Sequence, residues 1–132
     1  PPAYTVDDSR HPRSLWRHDV VYESGLRLHV RPADPDDDVR IRHFAKKLED
    51  AGDPASMDKL MRIDFTSGFH LIALDTAKDE FVGAAHFHHG SDSFSLNVLG
   101  DPEYRGLGIG DFLTQQVMRA ADKEVVHMVK SG

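Results

Sequence analysis

A glycine-rich segment at residues 99–110 is the part of the chain whose residue types and spacing most clearly indicate chemistry. Gly106, Gly108 and Gly110 alternate where an apolar run gives way to a helical pattern, directly after Arg105. Glycine admits backbone conformations that other residues avoid, and it lets a ligand approach without a Cβ in the way. The free N–H groups and positive dipole end of the following helix favour an anion. The segment therefore predicts an anion site, with a pyrophosphate as the best-matched common ligand and Arg105 as a charge-assisted contact.

Other interpretations of these glycines are weaker or need no ligand. A tight turn that packs closely against a sheet would use the same residues, and this alternative stays open. The phosphate loop of nucleotide hydrolases is a poor fit because no Gly-Lys-Ser/Thr follows. The mixed strand order before the glycines does not suggest a dinucleotide-binding unit either.

His86 and His88 are the nearby side chains best suited to relay a proton. They alternate onto one face of a predicted strand, and their reference pKa of about 6.5 suits neutral pH. A strand end that turns into solvent is the simpler interpretation of the same residues. A histidine-ligated metal would need further ligands and a second shell that the sequence does not reveal, so we expect no metal site.

The first elements that must position these groups are a hairpin and two helices. Short β-rich runs at 20–22 and 26–30 surround a turn glycine and predict the hairpin. Asp34 and Asp53 each precede a proline, which places a capping side chain before the first helical position. The spacing of apolar residues from Ile41 to Leu48 supports the first helix, which Gly52 ends, whereas the second is shorter.

The second half of the chain reads as strands, then a helix, then a strand. Runs at 69–74, 81–88 and 93–99 predict three strands, and an antiparallel meander is the simplest arrangement. A strong amphipathic helix follows from Ile109 to Ala120, and 125–129 is an apolar run suited to a buried strand. The fold class is therefore α/β, in the α+β sense.

Length and composition indicate one domain and exclude several classes of protein. The chain has 132 residues, a net charge of -6 and no cysteine. Disulfide frameworks, cysteine-ligated zinc, iron–sulfur clusters and cysteine nucleophiles are excluded, and a cytoplasmic location is expected. The negative charge disfavours nucleic acid, and no apolar run is long enough to predict a membrane span. We interpret residues 1–17 as an N-terminal arm or linker and 18–132 as the domain.

The residues at 105–110, Arg-Gly-Leu-Gly-Ile-Gly, match the Arg/Gln-x-x-Gly-x-Gly/Ala pyrophosphate signature of the GNAT superfamily of acyl-CoA-dependent N-acyltransferases. The preceding residues at 101–104, Asp-Pro-Glu-Tyr, also resemble this family. The order of the predicted elements is similar over roughly residues 18–129. Within the family, the runs at 29–32 and 81–85 most resemble bacterial protein lysine acetyltransferases.

The resemblance implies transfer of an acetyl or similar acyl group from an acyl-CoA cosubstrate to an amine, either a small molecule or a protein lysine. It also implies a mixed, mostly antiparallel sheet flanked by helices. Loop amides would hold the pyrophosphate, and backbone near the end of the preceding strand would pair with the pantetheine arm. The implied cofactor-binding residues are Val98, Leu99, Arg105, Gly106, Leu107, Gly108, Gly110 and Asp111.

The sequence departs from the family pattern at positions that matter for catalysis and affinity. Ser95 stands where the related lysine acetyltransferases carry an acidic base, so His86 and His88 become the substitutes and complete the candidate catalytic set. Asp92 and Glu103 are weaker options. Leu107 occupies a position that is often basic in the family, and the carboxylate of Asp111 in the first helical turn weakens anion binding. A noncatalytic acyl-CoA-binding or regulatory module is therefore an alternative, as is a structural domain that binds nothing.

The family fold usually continues with a helix and a closing hairpin beyond the strand expected at 125–129. The sequence stops at Gly132, so we expect a fold truncated after the fifth strand. Either the chain is a fragment of a longer protein or a partner completes the sheet, because an unpaired apolar edge strand promotes aggregation. Strand exchange in a homodimer would satisfy the second possibility.

Overall fold

In a computed structural model of the chain, the residues described are 4–10, 16–52, 69–89 and 94–119. Within them lie six strands and two α-helices. The elements in chain order are β1 (Tyr4–Asp7), β2 (His18–Tyr22), β3 (Arg27–Pro32), α1 (Asp38–Asp50), β4 (Phe69–Asp75), β5 (Glu80–His89), β6 (Phe94–Gly100) and α2 (109–119). The strands form one open antiparallel sheet in the order β1-β2-β3-β4-β5-β6. The predicted α+β class and antiparallel meander are confirmed.

The predicted hairpin is formed by β2 and β3. Val20 lies opposite Leu28 in the register, and both side chains are fully buried. Gly25 has φ of +93°, a conformation that costs glycine little and lets the chain reverse between the strands. The β-rich runs and the turn glycine therefore predicted the hairpin correctly.

Strand β1 lies within the segment expected to be an arm or linker. Tyr4 pairs with Tyr22 and Asp7 with Asp19, so the short run extends the sheet beyond β2. The rings of Tyr4 and Tyr22 lie 5.6 Å apart between centroids. These residues lack a long alternating pattern, and the strand exists because β2 offers an open edge with which the backbone can pair.

Helix α1 begins as the Asp34–Pro35 signal predicted. The Asp34 carboxylate accepts from the Asp36 N–H at 2.8 Å, and the Asp37 carboxylate accepts from the Asp34 N–H at 2.9 Å. This capping box satisfies N–H groups that the helix cannot pair itself. A 3-10 turn at Pro35–Asp37 leads into the α-helix. The helix ends at Asp50, before Gly52 with φ of +71°, as expected.

The two helices cover opposite faces of the sheet and create two buried clusters. Phe44 and Leu48 of α1 pack on one face with apolar residues of β4, β5 and β6. Ile109, Phe112 and Leu113 of α2 pack on the other face, over β2 to β5. A β-bulge between β4 and β5 interrupts the register at Ala73/Leu74.

Two sequence predictions lie outside the described residues, namely the helix after Asp53 and the strand at 125–129. The part of the chain that the structure describes contains no helix long and apolar enough to span a membrane.

Candidate functional site

The segment between β6 and α2 starts as a tightly bonded turn. The Asp101 N–H donates to the Val82 carbonyl at 2.9 Å, and the Asp101 carboxylate accepts from the Glu103 N–H at 3.0 Å. Lys47 of α1 also reaches this buried carboxylate at 3.4 Å. The Arg105 N–H donates to the Pro102 carbonyl at 3.3 Å. The chain up to Arg105 is therefore fixed by its own hydrogen bonds.

The bonding pattern changes at the glycines. Gly106 and Gly108 have φ of +80° and +77°, in the left-handed region where a Cβ is strained. The N–H groups of residues 106–111 find no hydrogen-bond partner among the described residues, and the Phe112 N–H is the first to bond again, to the Gly108 carbonyl at 3.0 Å. This continuous row of donors stands at the positive end of the α2 dipole. Such an arrangement attracts an anion.

A hollow of about 270 Å³ opens beside this row. Arg105, Gly106, Gly108 and Gly110, the residues expected to bind an anion, all line it. Tyr104 contributes an aromatic wall. Arg105 is exposed, and its guanidinium forms no ion pair with any described residue. The hollow thus combines backbone donors with one cation that is available to a ligand.

The other residues predicted to bind the cofactor contribute differently. Leu107 packs its side chain against the core below α2 rather than into the hollow. Asp111 is exposed in the first turn of α2. Leu99 is buried on the α1 side, whereas Val98 is half-buried and faces Gly110. Neither Val98 nor Leu99 lines the hollow.

Two tyrosine hydroxyls anchor the loop, and sequence reasoning did not identify either anchor. Tyr104 donates to the Asp75 carboxylate at 2.7 Å, and burial together with this carboxylate raises the pKa of Tyr104. Tyr22, at the end of β2, donates to the Leu107 carbonyl at 2.8 Å. The position of Tyr104 next to the glycines was the available signal for the first anchor. No local signal links Tyr22 to Leu107.

The candidate catalytic residues lie on β5 and β6. His86 is 4% exposed, and its ring stacks on His70 of β4 with centroids 4.5 Å apart. The strand register places His88 opposite Ser95, while the side chains of these two residues are outside the described part of the structure. His86 follows Gly83, the register partner of Gly100, by about 10 Å along the strand. The structure thus brings His86 close to His70, at some distance from the glycine hollow.

No group of three or more potential metal ligands occurs in the described ranges. No family model matches the chain, and no curated protein matches it. The interpretation of the site therefore depends on its geometry and chemistry.

Proposed function

We propose that this chain is an N-acyltransferase of the GNAT type, which moves an acetyl or similar acyl group from acyl-CoA to a primary amine such as a protein lysine. The observation that carries the proposal is the row of N–H groups at residues 106–111, which have no partner among the described residues. A pyrophosphate has several charged acceptor oxygens and suits this row better than a neutral ligand does. Arg105 adds a positive charge at the same hollow.

The edge of β6 supports an acyl-CoA rather than a smaller phosphate compound. In the described residues β6 pairs with β5 alone, and Gly100 at its end lines the hollow. Unpaired strand edges bind extended groups through their N–H and C=O groups. The amide-containing pantetheine arm of CoA is such a group, and it follows directly from the pyrophosphate.

The reaction would form a C–N bond between the amine and the thioester carbonyl carbon and break the C–S bond. A base must take the proton of the attacking amine, and the departing CoA thiolate must receive a proton. His86 is the base that we propose among the described side chains, and His88 and Ser95 remain further candidates. An imidazole suits this step because it exchanges protons near neutral pH.

A noncatalytic acyl-CoA-binding or regulatory module is the second candidate function. The burial of His86, which is 4% exposed, favours it, because a covered imidazole cannot exchange a proton with an amine unless the site opens. Ser95 also favours the noncatalytic module, because the lysine acetyltransferases that the chain resembles carry an acidic catalytic base at this position. Both candidate functions require the same binding of acyl-CoA, and only turnover separates them.

Binding is tested by thermal unfolding and calorimetry with CoA and acetyl-CoA. A ligand at one hundred times its Kd stabilises the fold by about 2.7 kcal/mol, which corresponds to a rise in Tm on the order of 10 °C. Gly106→Ala should remove most of this shift, because Gly106 lines the hollow with a φ of +80°, and a Cβ strains that conformation. Gly52→Ala is the matched control: Gly52 also has positive φ and open space around its Cβ, but it lies after α1. No shift for the wild-type chain at millimolar CoA would overturn both functions.

Turnover is tested by release of the CoA thiol from acetyl-CoA in the presence of a panel of amines and lysine peptides. The chain has no cysteine, so a thiol reagent reports the released CoA without background from the protein. Thiol release that falls in His86→Asn supports the transferase and the proposed base. Binding of acetyl-CoA without amine-dependent thiol release supports the noncatalytic module.

A further inference from the structure

Tyr22 ends β2 with both its backbone and its ring held in place. Its N–H donates to the Leu26 carbonyl at 2.9 Å, and its carbonyl accepts from the Gly25 N–H at 3.0 Å. The ring is buried, with 5% of the residue exposed, and it packs against Tyr4. The Tyr22 hydroxyl is therefore a rigid donor that belongs to the sheet rather than to the loop.

This donor fixes one peptide of the glycine loop. The hydroxyl donates to the Leu107 carbonyl at 2.8 Å, across a separation of 85 residues in the sequence. In a planar trans peptide, the C=O of one residue and the N–H of the next point in opposite directions. The Gly108 N–H must consequently point away from β2. Gly106 and Gly108 line the hollow, while the Leu107 side chain packs into the core beside Tyr22, so this N–H faces the side of the loop where the hollow lies.

Without such a contact the peptide between Leu107 and Gly108 could turn over. That rotation changes ψ of Leu107 and φ of Gly108, and glycine accepts positive or negative φ at similar cost. A turned peptide would direct a carbonyl oxygen, not an N–H, toward the bound anion. The Tyr22 hydroxyl, which the sheet holds in place, therefore selects one of the two orientations of the Leu107–Gly108 peptide that the loop sequence allows.

We propose that Tyr22 is a positioning residue for the acyl carrier, because its hydroxyl holds the Leu107–Gly108 peptide so that the Gly108 N–H meets the pyrophosphate. The inference rests on the function proposed above and adds a residue remote in sequence from the glycine motif. Tyr22 acts through the loop and is not expected to touch the reacting atoms.

The test compares Tyr22→Phe with Tyr4→Phe. Both substitutions keep the ring and remove one hydroxyl, and the Tyr4 hydroxyl forms no hydrogen bond with the described residues. Calorimetric titration with CoA and with inorganic pyrophosphate should show about tenfold weaker binding of both ligands to Tyr22→Phe. Tyr4→Phe should bind both as the wild-type chain does. In ¹⁵N–¹H spectra, the Gly108 amide should move in Tyr22→Phe, and its response to pyrophosphate should shrink.

The outcomes separate this inference from the proposed function. Equal affinity of Tyr22→Phe and wild type for CoA overturns the positioning role, while the proposed function stands. A wild-type chain that binds neither CoA nor pyrophosphate overturns both. If Tyr22→Phe does not fold, the wild-type spectrum decides: a Gly108 amide that shifts with pyrophosphate supports the inference. A Gly108 amide that stays in place while CoA binds overturns it.

Discussion

Replacing Gly83 with valine tests how closely α2 packs on the sheet. This packing positions the start of α2 at the hollow. Gly83 lies in β5 beneath α2. A Cβ at this position would approach Ile109 Cγ2 to 3.0 Å and Leu113 Cδ1 to 3.1 Å, with the Leu99 carbonyl oxygen at 3.5 Å. The first two distances are shorter than ordinary carbon–carbon contacts of about 3.5–4.0 Å. The Ile109 and Leu113 side chains must therefore move by a few tenths of an ångström to accept any side chain at Gly83.

The expected size of the effect follows from two opposing contributions. Overpacking a well-packed core costs about 1–3 kcal/mol. Replacing a strand glycine with a residue of higher strand propensity regains about 0.5–1 kcal/mol. Gly83→Val should therefore lower the free energy of unfolding by up to about 2.5 kcal/mol, which for this size of domain lowers Tm by up to roughly 10 °C.

Gly100 provides the matched control, because it is the register partner of Gly83 on β6 and has no heavy atom within 4 Å of its ideal Cβ. Gly100→Val should leave stability unchanged or raise it by up to about 1 kcal/mol. Urea unfolding followed by circular dichroism measures both variants, with equal m values confirming a common unfolded reference. If Gly83→Val were as stable as Gly100→Val, the close seating of α2 would be refuted.

Three further predictions concern buried charge, alkaline pH and the ligand. Arg31 donates twice to the buried Asp37 carboxylate at 2.7 Å. Burial raises the pKa of Asp37, but the hydrogen bonds from Arg31 and the Asp34 N–H, together with the charges of Arg31 and Arg40, lower it more, so the net pKa is lowered. Arg31→Met should lower the free energy of unfolding by about 3 kcal/mol at neutral pH. Urea titrations should show that this difference from the wild type shrinks below pH 3.8, because the Asp37 carboxyl of the unfolded chain binds a proton there. Burial raises the pKa of Tyr22 from 10.0 to about 12. The stability of the wild-type chain should therefore fall between pH 10 and pH 12, because the unfolded chain loses the Tyr22 proton first. An equal fall in Tyr22→Phe would show that Tyr22 is not its cause. Asp111→Asn should tighten CoA binding about two- to fivefold by calorimetry, and unchanged affinity would argue against a pyrophosphate at the start of α2.

Local signals in the sequence predicted most of the regular elements. Asp34 and Pro35 identified the start of the first helix because a capping side chain and a fixed φ act on their immediate neighbours. Short β-rich runs bounded by turn residues predicted the hairpin and the three strands of the meander. A period of 3.6 residues identified α2, whose apolar residues are buried against the sheet.

Strand β1 shows where local reasoning ended. Tyr4–Asp7 carries little strand signal of its own, and the strand is defined by the backbone partners that β2 supplies. The stack of His70 on His86 likewise depends on the register between β4 and β5, which pairs the two residues directly. Neither feature can be deduced from the spacing of residues within one segment.

The candidate site divides in the same way. The sequence by itself determined where glycines interrupt the chain before a helix and that Arg105 precedes them, because backbone freedom and charge are properties of single residues. Only the tertiary structure decided which N–H groups stay unbonded, and that Tyr22 and Tyr104 hold the loop from β2 and from Asp75. These contacts join residues 85 and 29 positions apart, and they arise from the packing of helices on a sheet with one register. The preference of a residue for helix, strand or turn depends on its immediate neighbours in the sequence. The orientation of a peptide in a loop depends on which distant residues the fold places beside it.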